Sequence, residues 1–376
     1  MIQPILISLF TVVAVRLLDR WENKHIKSLF DWVPAILLAY LFPALISKIG
    51  GLDYSASEIH QWSKNLFIPL AIIAVMSSLS FQGLKAIGYK PILLFLSGSF
   101  AIAVLPILML LFYDQQDFIQ GVLIEEHYWK GIPPIVGSWI GGSTSQLVLK
   151  ELIETPEQVF LTILVMDNII VNIWTILMFQ LIKKSESINK LLGIKAKSIP
   201  QSLNKQSDRP ISAYTVFAIL LLTVGIVHIS INSFIGKIIA LSILGLVLSN
   251  YIKRWNFDYV LKLGGILILI VMAVLGLKLH FDNLSFNGSF FGFLCLWIIS
   301  QFIITIVVAK LLNINFAWVP IASMANVGGI ATAPAVTAAY EKKWMPHAIV
   351  LAILSMASGT FWGLLTIELF KGVFLR

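Results

Sequence analysis

The sequence predicts an all-α, polytopic membrane protein made of two inverted repeats, each with five transmembrane helices and one re-entrant hairpin or broken helix. Three observations carry this: scarce charge, twelve apolar runs split evenly by one polar gap, and a Gly-Gly motif present in both halves. Of 376 residues, 58 % are hydrophobic and 12 % charged, with a mean hydropathy of +0.89. Soluble domains carry about 25 % charged residues. The missing charge leaves runs long enough to cross a hydrocarbon core about 30 Å thick, and no room for a separate soluble domain.

The runs fall at about 2–18, 32–48, 65–83, 91–113, 133–153, 158–182, 213–230, 234–252, 261–278, 289–311, 317–340 and 347–370. The first lacks the basic start and small-residue cleavage site of a signal peptide, so it is read as a membrane helix. The gap holds Lys183, Lys184, Lys190, Lys195, Lys197, Lys205 and Arg209. It divides the chain into a first membrane repeat (1–182), a basic cytoplasmic linker (183–212) and a second, inverted repeat (213–376). Positions 190 apart match at Glu151/Glu341, Pro156/Pro346 and Met166/Met356. Just upstream, Gly141-Gly142 returns as Gly328-Gly329, 187 residues on.

Cytoplasmic loops carry the Lys and Arg excess. The loop with Arg16, Arg20, Lys24 and Lys27 and the linker therefore both belong inside. Five full crossings would put them on opposite sides, so one segment between them turns back. The fifth is the candidate, because its centre reads Gly141-Gly-Ser-Thr-Ser145. Two arms of about ten residues span about 15 Å each, half the membrane, and glycine permits the turn. The eleventh segment repeats the design around Asn326-Val-Gly-Gly-Ile-Ala-Thr332-Ala-Pro334. A broken helix that crosses fully is the alternative. With five crossings per half the second half is inverted, and the acidic loop Asp114–Glu126 falls outside. The net charge of +8 is then mostly positive-inside bias. It places a multi-pass chain in the inner (cytoplasmic) membrane and requires no nucleic acid.

Irregular backbone at membrane depth needs protein or a water-filled cavity to satisfy its polar groups. Two matching interruptions in inverted halves point to a midplane binding site, and helix N-termini there suit a carboxylate. The competing reading is close packing by small residues. The candidate ligands are Gly141, Gly142, Ser143, Thr144, Ser145, Gln146, Asn326, Gly328, Gly329 and Thr332. Asp167 adds an acid deep in the sixth segment, with Asn168 and Asn172 beside it and no Lys or Arg at comparable depth. Its partner is a proton, Na⁺ or hydrogen bonds from the hairpin. The corresponding patch in the twelfth segment is Ser355, Ser358 and Thr360, with Ala357 opposite Asp167. Glu151 and Glu341 are read as structural residues near the surface, and Trp139, Trp174 and Trp362 as packing or interface residues. One cysteine, Cys295, and six scattered histidines offer no disulfide framework or metal site, so no cofactor is expected beyond a coupling Na⁺ or H⁺.

At Ser138-Trp-Ile-Gly-Gly-Ser-Thr-Ser, Asp167-Asn-Ile-Ile-Val-Asn-Ile-Trp174 and Ala325-Asn-Val-Gly-Gly-Ile-Ala-Thr-Ala-Pro334 the chain resembles the YjcL-like family of integral membrane proteins, a domain of unknown function. Its pattern is similar to inverted-repeat carriers that include glutamate/sodium and citrate/sodium symporters and cation/proton antiporters. That resemblance implies a scaffold domain for homodimerisation and a mobile core holding substrate between hairpins.

The expected function is secondary transport of a small organic solute, coupled to Na⁺ or H⁺ by alternating access. Without a deep cation, a monocarboxylate, an amino acid or a small peptide fits better than a multiply charged anion. A monovalent cation/proton antiporter using Asp167 is the alternative. An intramembrane hydrolase with Ser143 as nucleophile is a remote one, because a His base is missing at that depth. No enzyme activity is expected, and no P-loop motif links the chain to ATP.

Overall fold

The computed structural model describes residues 2–21, 23, 35–112, 118–195, 210–279 and 287–375. Lys24, Lys27, Lys197, Lys205, Arg209 and the start of the acidic loop at 114–117 lie outside the described residues. Among those described every regular element is helical.

The first half contributes α1 (Ile2–Arg20), α2 (Ala35–Gly50), α3 (Ile59–Met76), α4 (Phe81–Ile87), α5 (Tyr89–Leu111), α6 (Ile132–Ile153) and α7 (Glu157–Lys183). A short α8 (Ser185–Leu192) begins the linker. The second half contributes α9 (Ala213–Ser230), α10 (Phe234–Tyr251), α11 (Phe257–Gly276), α12 (Gly288–Leu311), α13 (Trp318–Val327), α14 (Gly329–Ala338) and α15 (Met345–Phe374). Asparagine and serine side chains start several of these helices by accepting a backbone N–H in the first turn, as Ser212, Ser233, Asn256 and Asn287 do. A π-helical turn at Ser63–Phe67 interrupts α3.

Among the described residues, seven helices are long and apolar enough to cross a membrane, and α3 with α4 makes an eighth if that pair, bent by 46°, counts as one span. Ile2–Leu18 and Leu37–Gly50 are apolar but shorter in their described parts. Each predicted run thus has a helical counterpart. The third is bent, and the fifth and eleventh break at their glycine pairs.

The chain divides into two compact units, and they are not the two sequence halves. Unit one takes Met1–Ser78, Pro156–Ile169 and Asp208–Phe286; unit two takes Leu79–Thr155, Ile170–Ser207 and Asn287–Arg376. Each unit therefore draws its helices from both halves, α1–α3 with α9–α11 and α5–α6 with α12–α15, while α7 is shared.

Packing within unit one is reciprocal between halves. Helix α2 packs on α11 as α10 packs on α3, α1 packs on α2 as α9 packs on α10, and α3 meets its counterpart α11. Small residues set these approaches: a Cβ on Gly264 would lie 2.9 Å from Val75, and one on Gly276 would lie 2.9 Å from the carbonyl carbon of Tyr40. The Tyr40 hydroxyl donates to Glu157 at 2.7 Å, so α2 holds the start of α7. In unit two, α5 and its counterpart α12 run antiparallel. Trp297 Nε1 donates to the Ile102 carbonyl at 3.1 Å, while Thr305 lies beside Gly98.

Candidate functional site

Helix α6 is one apolar stretch with a single non-helical residue, Gly142, at φ 66° and ψ −166°. That region is open essentially to glycine alone. The chain reverses there. Past the turn, the arm at 143–153 lies against the arm at 132–141. A Cβ on Gly137 would sit 2.8 Å from the Ser145 backbone and 2.9 Å from the Gln146 nitrogen. At the base, Thr155 Oγ1 donates to the Lys130 carbonyl at 2.8 Å, though the two are 25 residues apart. In a continuous helix that separation would span about 37 Å. The two arms of this segment therefore lie side by side.

The eleventh segment reverses in the same way. Gly328 separates α13 from α14, and Gly329, which opens α14, has φ 65°. At the base, Asn315 Nδ2 donates to Tyr340 Oη at 3.0 Å, again across 25 residues. Trp318, which opens α13, stacks on Trp344 beyond α14 with ring centroids 5.0 Å apart. The two turns match in detail. Ser145 lies over Gly141 where a side chain would otherwise stand, and Thr332 lies over Gly328 likewise. Each hydroxyl residue comes four positions after the first glycine of its pair, preserving the offset of 187.

The base of the second reversal is also tied to α8. Asn189 Nδ2 donates to Asn315 Oδ1 at 3.0 Å, the Phe316 N–H donates to Asn189 Oδ1 at 2.8 Å, and Tyr340 Oη donates to Glu186 Oε1 at 2.9 Å. Burial pushes the Tyr340 phenol above its ordinary range, so the proton needed for that last bond stays in place.

Helix α15 bears on both reversals. Its Ser355, Gly359 and Gly363 recur every fourth residue and form a narrow face. A Cβ on Gly359 would lie 2.7 Å from Ser145 Oγ, and Gly363 closes on Leu149. Thr360 donates to Ser145 Oγ at 3.2 Å. Ser355 reaches the Ile140 carbonyl in the first reversal and, at 3.1 Å, Asn326 Oδ1 in the second. Asn326 Oδ1 also accepts from Ser99 at 3.0 Å, and its Nδ2 donates to the Phe95 carbonyl at 3.4 Å.

These contacts sort the predicted residues. Gly141, Gly142, Gly328 and Gly329 make the turns. Ser355 is bonded to Asn326 and Thr360 to Ser145, so α15 binds both reversals, and Ser358 donates to the Ser355 carbonyl at 3.3 Å. Gln146 is buried and bonded, while Ser143 is half-buried beside Gly142. Thr144 Oγ1 and Thr332 Oγ1 remain as buried hydroxyls without a hydrogen-bond partner. Asp167 is 6 % exposed, with Asn168 half-buried beside it; both belong to unit one, whereas Asn172 and all the reversal residues belong to unit two.

Three features were not anticipated. Gln301 is 1 % exposed and its Nε2 has no partner; nothing in the apolar run of α12 distinguished it. Lys150, 4 % exposed, lies 3.0 Å from Glu151 inside the first reversal. Both stand near the end of the arm, and the carboxylate compensates the buried ammonium. The third is the narrow face at Ser355, Gly359 and Gly363, which packs on the first reversal. Trp139 packs tilted against Trp297 with centroids 4.6 Å apart, and Trp174 donates to Ser323 Oγ at 2.9 Å, so both are packing residues.

Long apolar helices and two reversals within one compact unit define the class: a multi-pass, all-helical membrane protein. The chain belongs to the family described as protein of unknown function (DUF819), which matches residues 7–373. No curated protein matches it.

Proposed function

We propose that the protein is a secondary active transporter of a small organic solute, driven by Na⁺ or H⁺, in the inner (cytoplasmic) membrane. One observation carries this reading. Two glycine-centred reversals occupy equivalent places in the two halves, and each tip holds a buried threonine hydroxyl without a partner. Helices tolerate such interruptions at membrane depth where they enclose a site. The alternative, glycines serving packing only, explains the close approach of α15 but not the unbonded Thr144 and Thr332.

Reciprocal packing and the antiparallel pair α5 and α12 support inverted repeats, with the reversals entering the membrane from opposite faces. Unit two is the transport core in this reading, and unit one is the scaffold through which two copies associate. Exposing the core to each side in turn moves solute with the driving ion.

A second reading, cation/proton exchange at Asp167, is favoured by one fact: an acid only 6 % exposed on an apolar helix. Reconstituted vesicles separate the two. Uptake of a labelled monocarboxylate, amino acid or dipeptide under an imposed Na⁺ or pH gradient supports the carrier. Collapse of a pH gradient by Na⁺ or K⁺ alone, with no organic solute moved, supports the exchanger and overturns the carrier.

A further inference from the structure

We infer that Gln301 reads a carboxylate oxygen of the transported solute. This rests on the carrier reading above and assigns a specificity-determining residue and a ligand chemistry to that site.

Helix α12 is apolar, and its neighbouring polar side chains are self-contained. Ser300 donates to the Leu296 carbonyl at 2.7 Å, and Thr305 donates to the Gln301 carbonyl at 2.8 Å. Gln301 is different: it is 1 % exposed, and its Nε2 has no acceptor. An amide nitrogen only donates. It cannot ligate Na⁺ or take up a proton, so the group that completes it is not the coupling ion. It has to be an acceptor.

The surroundings place Gln301 beside the second reversal. Gln301 faces α5 at Gly98 through its Oε1, and the missing side chain lets polar groups of α5, α12 and α13 close together there. A Cβ there would lie 3.3 Å from Asn326 Nδ2, 3.5 Å from Thr305 Oγ1 and 4.0 Å from Gln301 Oε1. Asn326 is fixed two residues before Gly328, so Gln301 stands next to the tip of the second reversal. Other unbonded buried groups of unit two include the hydroxyls of Thr144 and Thr332 at the two turns. With the N–H groups of the arms that start after Gly142 and at Gly329, this set is rich in donors. It carries no uncompensated positive charge, because Lys150 is met by Glu151. Many neutral donors without a free cation suit one carboxylate, whose charge strengthens every bond it accepts. A second carboxylate would find nothing to neutralise it.

The test uses the purified full-length protein and follows thermal unfolding with three probes: alanine, lactate and glycylglycine. Each is compared with the counterpart in which the carboxylate is reduced to an alcohol. The wild type is expected to be stabilised by at least one carboxylate and not by its alcohol. In Gln301→Glu and Gln301→Met the same shift should need at least about tenfold more carboxylate, the loss of one bond to a charged acceptor. Gly98→Ala, which crowds the same space, should act in the same direction and decides alone if the Gln301 variants do not fold. Equal responses in wild type and variants would overturn the role of Gln301 and leave the carrier reading standing. Stabilisation by the alcohols as strong as by the acids would overturn the carboxylate assignment. No response to any probe overturns this inference; the carrier reading falls with it only if vesicle uptake is absent as well.

Discussion

The closest approach of two backbones at the proposed site lies between Gly359 of α15 and Gly141 of the first reversal, and a single methyl group probes it. In Gly359→Ala the new Cβ would stand 2.5 Å from the Gly141 nitrogen and 2.7 Å from Ser145 Oγ. Comfortable separations begin at about 3.5 Å, so the two elements must part by about 1 Å. The Ser145 hydroxyl can rotate, but the Gly141 backbone cannot swing aside. Overpacking of this kind costs about 1–3 kcal/mol, and parting the elements also weakens the bonds from Ser355 to Ile140 and from Thr360 to Ser145, each contributing about 0.5–1.5 kcal/mol. The expected loss is about 2–4 kcal/mol. Gly265→Ala on α11 is the control, because nothing stands within 4 Å of its added Cβ. Equilibrium unfolding in mixed detergent micelles, read by tryptophan fluorescence, compares the three proteins. A Gly359→Ala protein as stable as the wild type, or one no less stable than Gly265→Ala, would refute the proposed apposition of α15 and the first reversal.

Gly142→Ala isolates backbone strain from crowding, since its added Cβ meets nothing within 4 Å while φ stays at 66°; the same unfolding assay should show a loss of about 1–3 kcal/mol. Asp167→Asn should insert and fold yet lose gradient-driven uptake, and uptake at the wild-type rate would remove Asp167 from coupling. Tyr340, whose folded pKa is raised by burial above the ordinary 10.0, binds its proton more tightly folded than unfolded. Stability should therefore be fully present below pH 10 and fall as pH rises beyond it. Tyr340→Phe should flatten that alkaline decline and, by unlinking Glu186 and Asn315, lower stability at neutral pH by about 1–2 kcal/mol.

The two reversals were legible because glycine is informative where L residues cannot follow. Gly142 and Gly329 sit in polar interruptions of otherwise apolar runs, and the repeat offset alone pairs them. The helices were legible for a similar reason, since an unbroken apolar run in lipid leaves the backbone little choice but to bond to itself. The division into units was not. It depends on α2 finding α11 and α10 finding α3, pairings between distant segments whose leucines and isoleucines are interchangeable. The roles of polar residues were only partly readable. Asn326 and Ser355 look like ligands in sequence, but each is occupied by the other, whereas Thr144 and Thr332 differ from them only in lacking a neighbour. Gln301 carries no sequence signal, because one amide in an apolar helix is as easily a bonded core residue. Lys150 follows the apolar arm directly, where sequence alone reads it as a helix-end charge.

Transport by alternating access requires both reversals to line one solute-responsive site, and thiol labelling tests that directly. Cys295→Ser leaves no other thiol, so single cysteines can be introduced by Ser143→Cys and Thr332→Cys. In oriented vesicles, a membrane-impermeant thiol reagent should reach both positions from either side, and a bound carboxylate or Na⁺ should slow the reaction at both. Protection of both positions from both sides whatever the ligand would mean that the glycines serve packing alone. Labelling that neither ligand nor ion alters would mean a static opening, and either result would contradict the carrier.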